Sequence, residues 1–208
     1  MADPSTTTEL QAVNTILSAI GELPTTATVL TNGTSADVSM AKQILDEVNR
    51  EVQAEGWHFN IDSKVTFTPD VTTSHIVLST GETVGNIVRV TVAGRNLTIR
   101  YDSATTERRL YDKEENTYLF TKPLTKEATV VYLFEFYGIP EAAKRYITIR
   151  AARLFQDRMV GSPAHHQFSE RDEFKALLDL KEYEGATSTP TIFDNLGTYN
   201  IIKRGSVL

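Results

Sequence analysis

The stretch TSADVSMAKQILDEVNREVQAEGWHFN, residues 34–60, decides the fold that this sequence predicts. Thr34 and Asp37 are typical of a helix N-terminus, and Gly56 is typical of a helix end. Between these signals, apolar residues recur at alternating intervals of three and four, which is the spacing of one helix face. They are Val38, Ala41, Leu45, Val48 and Val52. The sequence therefore predicts a long amphipathic helix followed by an aromatic turn.

A shorter amphipathic pattern precedes that stretch, over residues 7–20. Thr6 and Glu9 have the spacing of a capping box, and Gly21 and Pro24 are typical of a helix end. The sequence therefore predicts a first helix, whose buried face consists of Leu10, Val13, Leu17 and Ile20.

Between residues 62 and 137 the apolar pattern changes to a period of two, which indicates β-strands. Gly94 and Asn96 separate two alternating runs and predict a hairpin there. Because antiparallel strands need no crossover helix, we expect an antiparallel β-meander inserted between helices. The strand-like runs are 75–79, 86–92, 97–101 and 129–137.

Helical patterns return at Pro140, which suits a first helical turn because its missing N–H would be unpaired there anyway. This helix is expected to run to Val160. Ser162 and Pro163 begin another helix, which stops at Gly185. The apolar residues of this last helix are Phe168, Phe174, Leu177 and Leu178.

The fold class that follows is α+β: a helical bundle of about four helices with an inserted antiparallel β-sheet and an extended C-terminal arm. The arm is predicted because Thr, Ser, Pro and Gly interrupt its apolar residues without a helical period. Such a segment has no core of its own and needs a neighbour to hold it. The predicted divisions are 1–60 and 139–185 for the two halves of the helical part, 61–138 for the β insert and 186–208 for the arm.

Composition places the chain among ordinary soluble globular proteins. It has 208 residues, of which 40% are hydrophobic and 23% charged, and a formal net charge of -6. That charge argues against a protein that coats nucleic acid, since such binding rests on clustered Lys and Arg. The absence of cysteine excludes disulfides and thiolate zinc sites. No apolar stretch reaches the ~18 residues of a membrane span, and no secretory signal is expected.

No residue is assigned a catalytic, cofactor-binding or metal-binding role. Ser162 lacks a G-x-S-x-G elbow, and phosphate-binding glycine-rich motifs are absent. Carboxylates are abundant, but a glycosidase needs two of them facing one cleft, which spacing alone does not show. The histidines, which lack the spacing of metal ligands, are His58, His75, His165 and His166.

Trp57 and Phe59 follow the long helix directly and have two interpretations. They could stack on a ligand, but aromatic residues at a junction between a helix and a strand more often fill the core. We therefore assign both, together with Leu45 and Val48, to the structural core.

Three segments carry a resemblance to a known family. They are ELQAVN at 9–14, GWHFN at 56–60 and RAARLFQ at 150–156. In this order they resemble the tail tubular protein A of short-tailed bacteriophages, the podoviruses of Autographiviridae type. The resemblance covers residues 9–60 and 139–184, while the β insert and the arm match in position and length.

The resemblance implies a structural virion protein: a dodecameric ring that acts as the adaptor between the portal protein and the tail nozzle, a tail tubular protein B type of protein. Tail fibres would attach nearby, and double-stranded DNA would pass through the ring during ejection. It further implies a place in the virion tail after assembly in the host cytoplasm, with no cofactor, membrane insertion or enzymatic activity. The alternatives are a carbohydrate hydrolase acting on the host envelope and a free binding module.

Two predicted helices carry opposite charge. Residues 140–160 hold five bases and two acids, a net charge of +3, and residues 162–184 hold three bases and six acids, a net charge of -3. Either these helices neutralise each other or both faces are solvated. The alternative is pairing across a portal or subunit interface, to which the Arg fork is suited. The residues predicted for portal or intersubunit contact are Arg145, Arg150, Arg153, Ile192, Phe193, Ile201, Ile202, Lys203 and Arg204.

The core assignment of Trp57 can be tested by truncation. Trp57→Ala should lower the free energy of unfolding by about 3 to 5 kcal/mol, because it leaves a large cavity. Chemical denaturation of the two proteins measures the difference. A melting temperature equal to that of the parent protein would contradict the assignment.

Overall fold

The computed structural model describes residues 6–78, 86–102, 107–161 and 163–187. These residues form helices and antiparallel strands, so the α+β class is confirmed. The helices are α1 (Glu9–Ser18), α2 (Ala27–Asn32), α3 (Ala36–Glu55), α4 (Glu141–Met159) and α5 (Pro163–Thr187). The strands are β1 (Ile61–Phe67), β2 (Ile87–Val92), β3 (Leu97–Asp102), β4 (Glu107–Asp112) and β5 (Leu124–Tyr132). Short 3-10 turns at His58–Asn60 and Phe136–Gly138 flank the β part.

The helices α1, α3, α4 and α5 enclose one apolar core. Of the four residues assigned to the core, Leu45 and Val48 are fully buried, Trp57 is 9% exposed and Phe59 packs against its edge. The face of α3 that the apolar spacing predicts is thus the face that this core covers. The partners from α4 and α5 are Ala143, Ile147, Ala151, Phe155, Ala176 and Leu180.

The start of α1 differs from the prediction. Its capping box consists of Thr8 and Gln11: the Gln11 N–H donates to the Thr8 hydroxyl (3.3 Å), and the Thr8 N–H donates to the Gln11 side-chain oxygen (2.8 Å). The assignment of the capping box to Thr6 and Glu9 is wrong, because Thr6 and Thr8 both precede a Glu or Gln by three residues and spacing cannot distinguish them. The pattern also misses α2, none of whose residues is buried.

Within the described residues, the strands form a three-stranded sheet in the order β1-β5-β2 and a two-stranded sheet of β3 and β4. The last strand, β5, therefore lies between β1 and β2. The predicted meander is wrong, and so is the hairpin that would pair 86–92 with 97–101. Gly94 indicates that the chain reverses locally, but it does not show which strands pair. In the structure β5 pairs with β1 and β2, and this pairing buries Ala128 and Val130 of β5.

The β part has an apolar core of its own. The predicted strand at 75–79, described as far as residue 78, contributes Ile76 and Leu78 to it and lies along β4. The Leu78 N–H donates to the Arg108 carbonyl (2.7 Å), and the Leu110 N–H donates to the Ile76 carbonyl (3.0 Å). These bonds extend the small sheet by one short segment.

Of the apolar residues noted for α5, Leu177 packs against the core, whereas Phe174 and Leu178 are exposed. Phe174 and Leu178 are 61% and 48% exposed, while Ala176 and Leu180 are buried. Ala176 and Leu180 share one face of α5 with Glu173, and that acid contacts α4. The apolar pattern alone cannot show this contact, since both pairs have a helical spacing of four. The side chain of Phe168 lies outside the described residues.

A network of buried amides joins the helical part to the β part. Gln53 of α3 is fully buried, and its Nε2 donates to the Phe134 carbonyl (2.8 Å) while its Oε1 accepts from the Phe134 N–H (2.8 Å). The side chain of Gln53 therefore binds the backbone just after β5 as a neighbouring strand would. Its Nε2 also donates to Asn49 Oδ1 (2.8 Å).

Asn60 continues this network at the turn. Its Nδ2 donates to the carbonyls of Gln53 (2.8 Å) and Tyr132 (2.7 Å), and its Oδ1 accepts from the Trp57 N–H (2.7 Å). The Trp57 indole N–H donates to the Val52 carbonyl (2.8 Å). The Val52 and Gln53 carbonyls in the last turn of α3 thus accept hydrogen bonds from side chains of the turn, and the Gln53 carbonyl also accepts one from the Gly56 N–H (3.1 Å).

Gly56 permits this turn for two reasons. Its φ of +86° belongs to the left-handed region, and a Cβ there would lie 2.7 Å from Arg89 Nη2 and 3.3 Å from Val131 Cγ2. Arg89 of β2 donates to the carbonyl of Glu55, the last residue of α3 (3.1 Å). The left-handed φ therefore favours glycine at the point where the helix end approaches the three-stranded sheet.

The amide network can be tested by Gln53→Leu, which preserves size but leaves the Phe134 backbone groups without this partner. We expect a loss of stability of about 1 to 3 kcal/mol for each buried group left unpaired. Urea denaturation measures the loss. Gln43→Leu, at an exposed position of α3, is the matched control and should change stability by less than about 0.5 kcal/mol. Equal effects of the two substitutions would contradict a structural role of the network.

Candidate assembly interface

Two basic residues of α4 meet acidic residues of the same chain. The Arg153 Nε donates to the Glu173 carboxylate of α5, and its Nη1 lies 3.3 Å from Asp157 Oδ2. The Arg150 Nη2 lies 2.6 Å from Glu51 Oε1 of α3, and its Nε lies 3.9 Å from Glu173 Oε1. The side chains of Arg150, Arg153 and Glu173 are 21%, 18% and 15% exposed. These three residues form a partly buried charged contact, the α4–α5 seam.

The surroundings favour the charged form of both arginines. The hydrogen bond to Glu173 raises the pKa of Arg153, against the opposing effect of burial. Burial lowers the pKa of Arg150, but its bond to the Tyr146 hydroxyl and the negative charges of Glu51 and Glu173 raise that pKa overall. Because Glu173 serves both arginines, its loss would leave two partly buried positive charges with fewer partners.

The arginines predicted for portal or intersubunit contact differ in whether an acid of the same chain pairs with them. Arg150 and Arg153 are neutralised inside the chain, by Glu51 of α3, Asp157 of α4 and Glu173 of α5, so α5 supplies only part of the neutralisation. Arg158, which is half exposed, also pairs internally, with Glu47 (3.1 Å). Arg145 is exposed, and no carboxylate lies within ion-pair distance of it in the part of the chain that the structure describes.

Arg145 lines a groove between α1, α4 and α5, the α1–α4–α5 groove, with a volume of about 360 Å³. Ala19, Ile149 and Ala152 provide its apolar lining. Lys175 of α5 adds a second base, so the groove combines apolar side chains with unpaired positive charge. Its other lining residues are Thr15, Ser18, Arg153, Gln156 and Asp172. The sequence carries no local signal for this groove, because its lining residues come from three helices that are separated in the chain.

Apolar side chains are also exposed outside the groove. Phe174 and Leu178 lie one turn apart on the outer face of α5, 61% and 48% exposed. Leu23, in the loop after α1, is 83% exposed, and Tyr137, in the second 3-10 turn, is 78% exposed. Single exposed apolar residues are ordinary, but a pair on one helix face is a candidate contact surface.

The acidic residues of the small sheet do not form an open catalytic pair. Asp102 and Glu107 lie close together, and both bind Arg109, at 2.8 Å and 2.7 Å. Arg109 is 8% exposed, so the three side chains form a structural ion-pair cluster. A glycosidase needs two carboxyl groups that face a substrate, whereas these two face an internal base.

Several predicted residues lie outside the described part of the chain. They are the side chains of His165 and His166 and the whole of Ile192, Phe193, Ile201, Ile202, Lys203 and Arg204. Among the described residues, which include His58 and His75, no group of three or more His, Asp or Glu side chains is placed to hold a metal ion. None of the described helices combines the length and apolar character that a membrane span requires.

Removal of one charge tests the seam. Glu173→Gln should destabilise the protein by about 1 to 3 kcal/mol, because it leaves two partly buried arginines with less negative charge beside them. Glu182→Gln removes an exposed acid from the same helix and should have an effect below about 0.5 kcal/mol. Guanidinium denaturation of both variants gives the comparison. If the two variants are equally stable, the seam does not hold α5 in place.

Comparison with known proteins places this chain in a family. No curated protein matches the chain. A family model described as "Tube: Tail tubular protein" matches residues 10–190, which include all of the described helices except the start of α1. This match confirms the resemblance seen in the three sequence segments. The chain therefore belongs to the tail tubular protein family and is a structural component of a phage tail.

Proposed function

We propose that this tail tubular protein forms a ring that joins the portal protein to the tail nozzle, with DNA passing through the ring during ejection. The family match over residues 10–190 is the observation that carries the proposal. The proposed ring is dodecameric, as the resemblance to tail tubular protein A implies, with tail fibres attached nearby. Assembly takes place in the host cytoplasm, and the role requires neither a cofactor nor catalysis.

One described surface suits a ring contact. In a closed ring each subunit presents two different faces to its neighbours, and these faces must come from surface that the subunit's own core does not use. The outer face of α5, with Phe174 and Leu178, is such a surface. We propose it as a contact surface of the ring.

The amide network supports the same role. It connects the core of the helical part to the core of the β part through short hydrogen bonds that Gln53 and Asn60 make to backbone groups. A subunit that transmits load between portal and nozzle requires such a connection, because a flexible joint would let its two ends move independently. The C-terminal residues Ile201, Ile202, Lys203 and Arg204 are proposed to contact the portal or a neighbouring subunit.

Electron microscopy of the purified chain mixed with its portal protein tests the proposal. We expect rings of this protein seated on one end of the portal, and the nozzle protein should bind only to portals that carry such a ring. Portals that remain bare at saturating concentrations of the folded chain would contradict the adaptor role. Solution mass of the free chain does not decide the question, since the portal can act as the template for the ring.

Deletion of residues 188–208 is the informative variant, because it removes the predicted arm from residue 188 onward and keeps the whole of α5. The truncated chain should still fold but lose attachment to the portal. Normal attachment would remove the arm from the assembly mechanism.

A further inference from the structure

The α1–α4–α5 groove has the chemistry of a binding site for a short peptide. Its apolar residues Ala19, Ile149 and Ala152 suit one or two aliphatic or aromatic side chains. Its charged lining consists of Arg145, Arg153 and Lys175 and one acid, Asp172, and among the described residues neither Arg145 nor Lys175 has a carboxylate within ion-pair distance. An occupant should therefore present apolar side chains next to an acid.

The chain itself contains such a sequence beyond α5. Residues 192–194 read Ile-Phe-Asp, two large apolar side chains followed by an acid. Asp194 is the only acidic residue between positions 188 and 208. Pro190, shortly before it, cannot continue a helix. Within residues 188–208, this is the one place where large apolar side chains stand next to an acidic side chain.

The length of chain after α5 fits the distance to the groove. From Thr187, the last residue of α5, back to Lys175 the helix extends about 18 Å, at 1.5 Å per residue. An extended chain that folds back along α5 covers this distance in about six residues. A chain of this length, when extended, brings residues 192–194 to the level of Lys175, and Ser18 of α1 lines the same groove.

We propose that residues 192–194 of each subunit bind in that subunit's own α1–α4–α5 groove. Ile192 and Phe193 pack on the apolar lining, and Asp194 pairs with Lys175 and Arg145. The distal residues 195–208 then leave the groove beside α1 and stay available for the partner contact proposed above. Binding in the groove does not depend on ring formation, so the two proposals can fail separately.

Disulfide cross-linking tests the position, since the chain has no native cysteine. Ser18→Cys combined with Asn195→Cys preserves all the residues proposed to bind. Under mild oxidation the isolated full-length chain should form a disulfide within one molecule, identified by mass spectrometry of the linked peptides and by migration as a monomer without reductant. The control pair is Val71→Cys with Asn195→Cys, because Val71 is 98% exposed in the β part.

Each outcome of the cross-linking has a definite meaning. Intramolecular linkage at least about tenfold faster than in the control pair supports the proposal, since binding raises the local concentration of one thiol near the other. Linkage that yields dimers would show that the groove takes the segment of another copy, and it overturns the proposal. A rate equal to that of the control pair overturns it as well.

Charge reversal in the same cross-linking chain tests the recognition. Asp194→Lys should slow intramolecular linkage about fivefold, because it replaces an attraction to Lys175 by a repulsion. Adding Lys175→Asp should restore the rate. Lys181→Asp, at a position of α5 that does not line the groove, should not restore it. A linkage rate that is insensitive to the charge at position 194 contradicts the proposed pairing.

Discussion

The structure depends above all on the hydrogen bonds that Gln53 and Asn60 make to the backbone around Phe134 and Tyr132. At this point α3 and the central strand β5 both end, and the backbone groups at these two ends need hydrogen-bond partners from outside the helix and the sheet. An unpaired buried group costs about 1 to 3 kcal/mol, and a domain is stable by only about 5 to 15 kcal/mol. Two side-chain amides satisfy these groups, so the helical core and the β core form one connected body.

A second constraint acts on the outside of the bundle. Glu173 contacts Arg150 and Arg153 of α4. It lies on the same side of α5 as the buried Ala176 and Leu180, while Phe174 and Leu178 remain on the surface. The ion pairs and the buried apolar residues together leave the side of α5 with Phe174 and Leu178 open to another molecule.

The surfaces that remain are consistent with a protein that acts through assembly. In the described β part, Asp102 and Glu107 are engaged by Arg109, and in the described helices the acids of the seam are engaged by Arg150 and Arg153. Arg145 and Lys175, which have no carboxylate partner among the described residues, line the α1–α4–α5 groove beside apolar side chains. Charge and apolar surface together favour recognition of a peptide segment, since apolar contact supplies affinity and charge selects the partner.

The amino-acid sequence alone predicts α3, the turn at 56–60, the extent of α4 and the presence of a β region. These features depend on apolar spacing, glycine and proline, whose effects on the backbone are local. The family resemblance rests on the same helical segments. The pairing of β5 with β1 and β2, the buried face of α5 and the internal partners of Arg150 and Arg153 became known from the three-dimensional structure. In each of these cases the contact joins residues that are far apart in the chain. The spacing of residues along a single helix or strand does not show which distant residue it will contact.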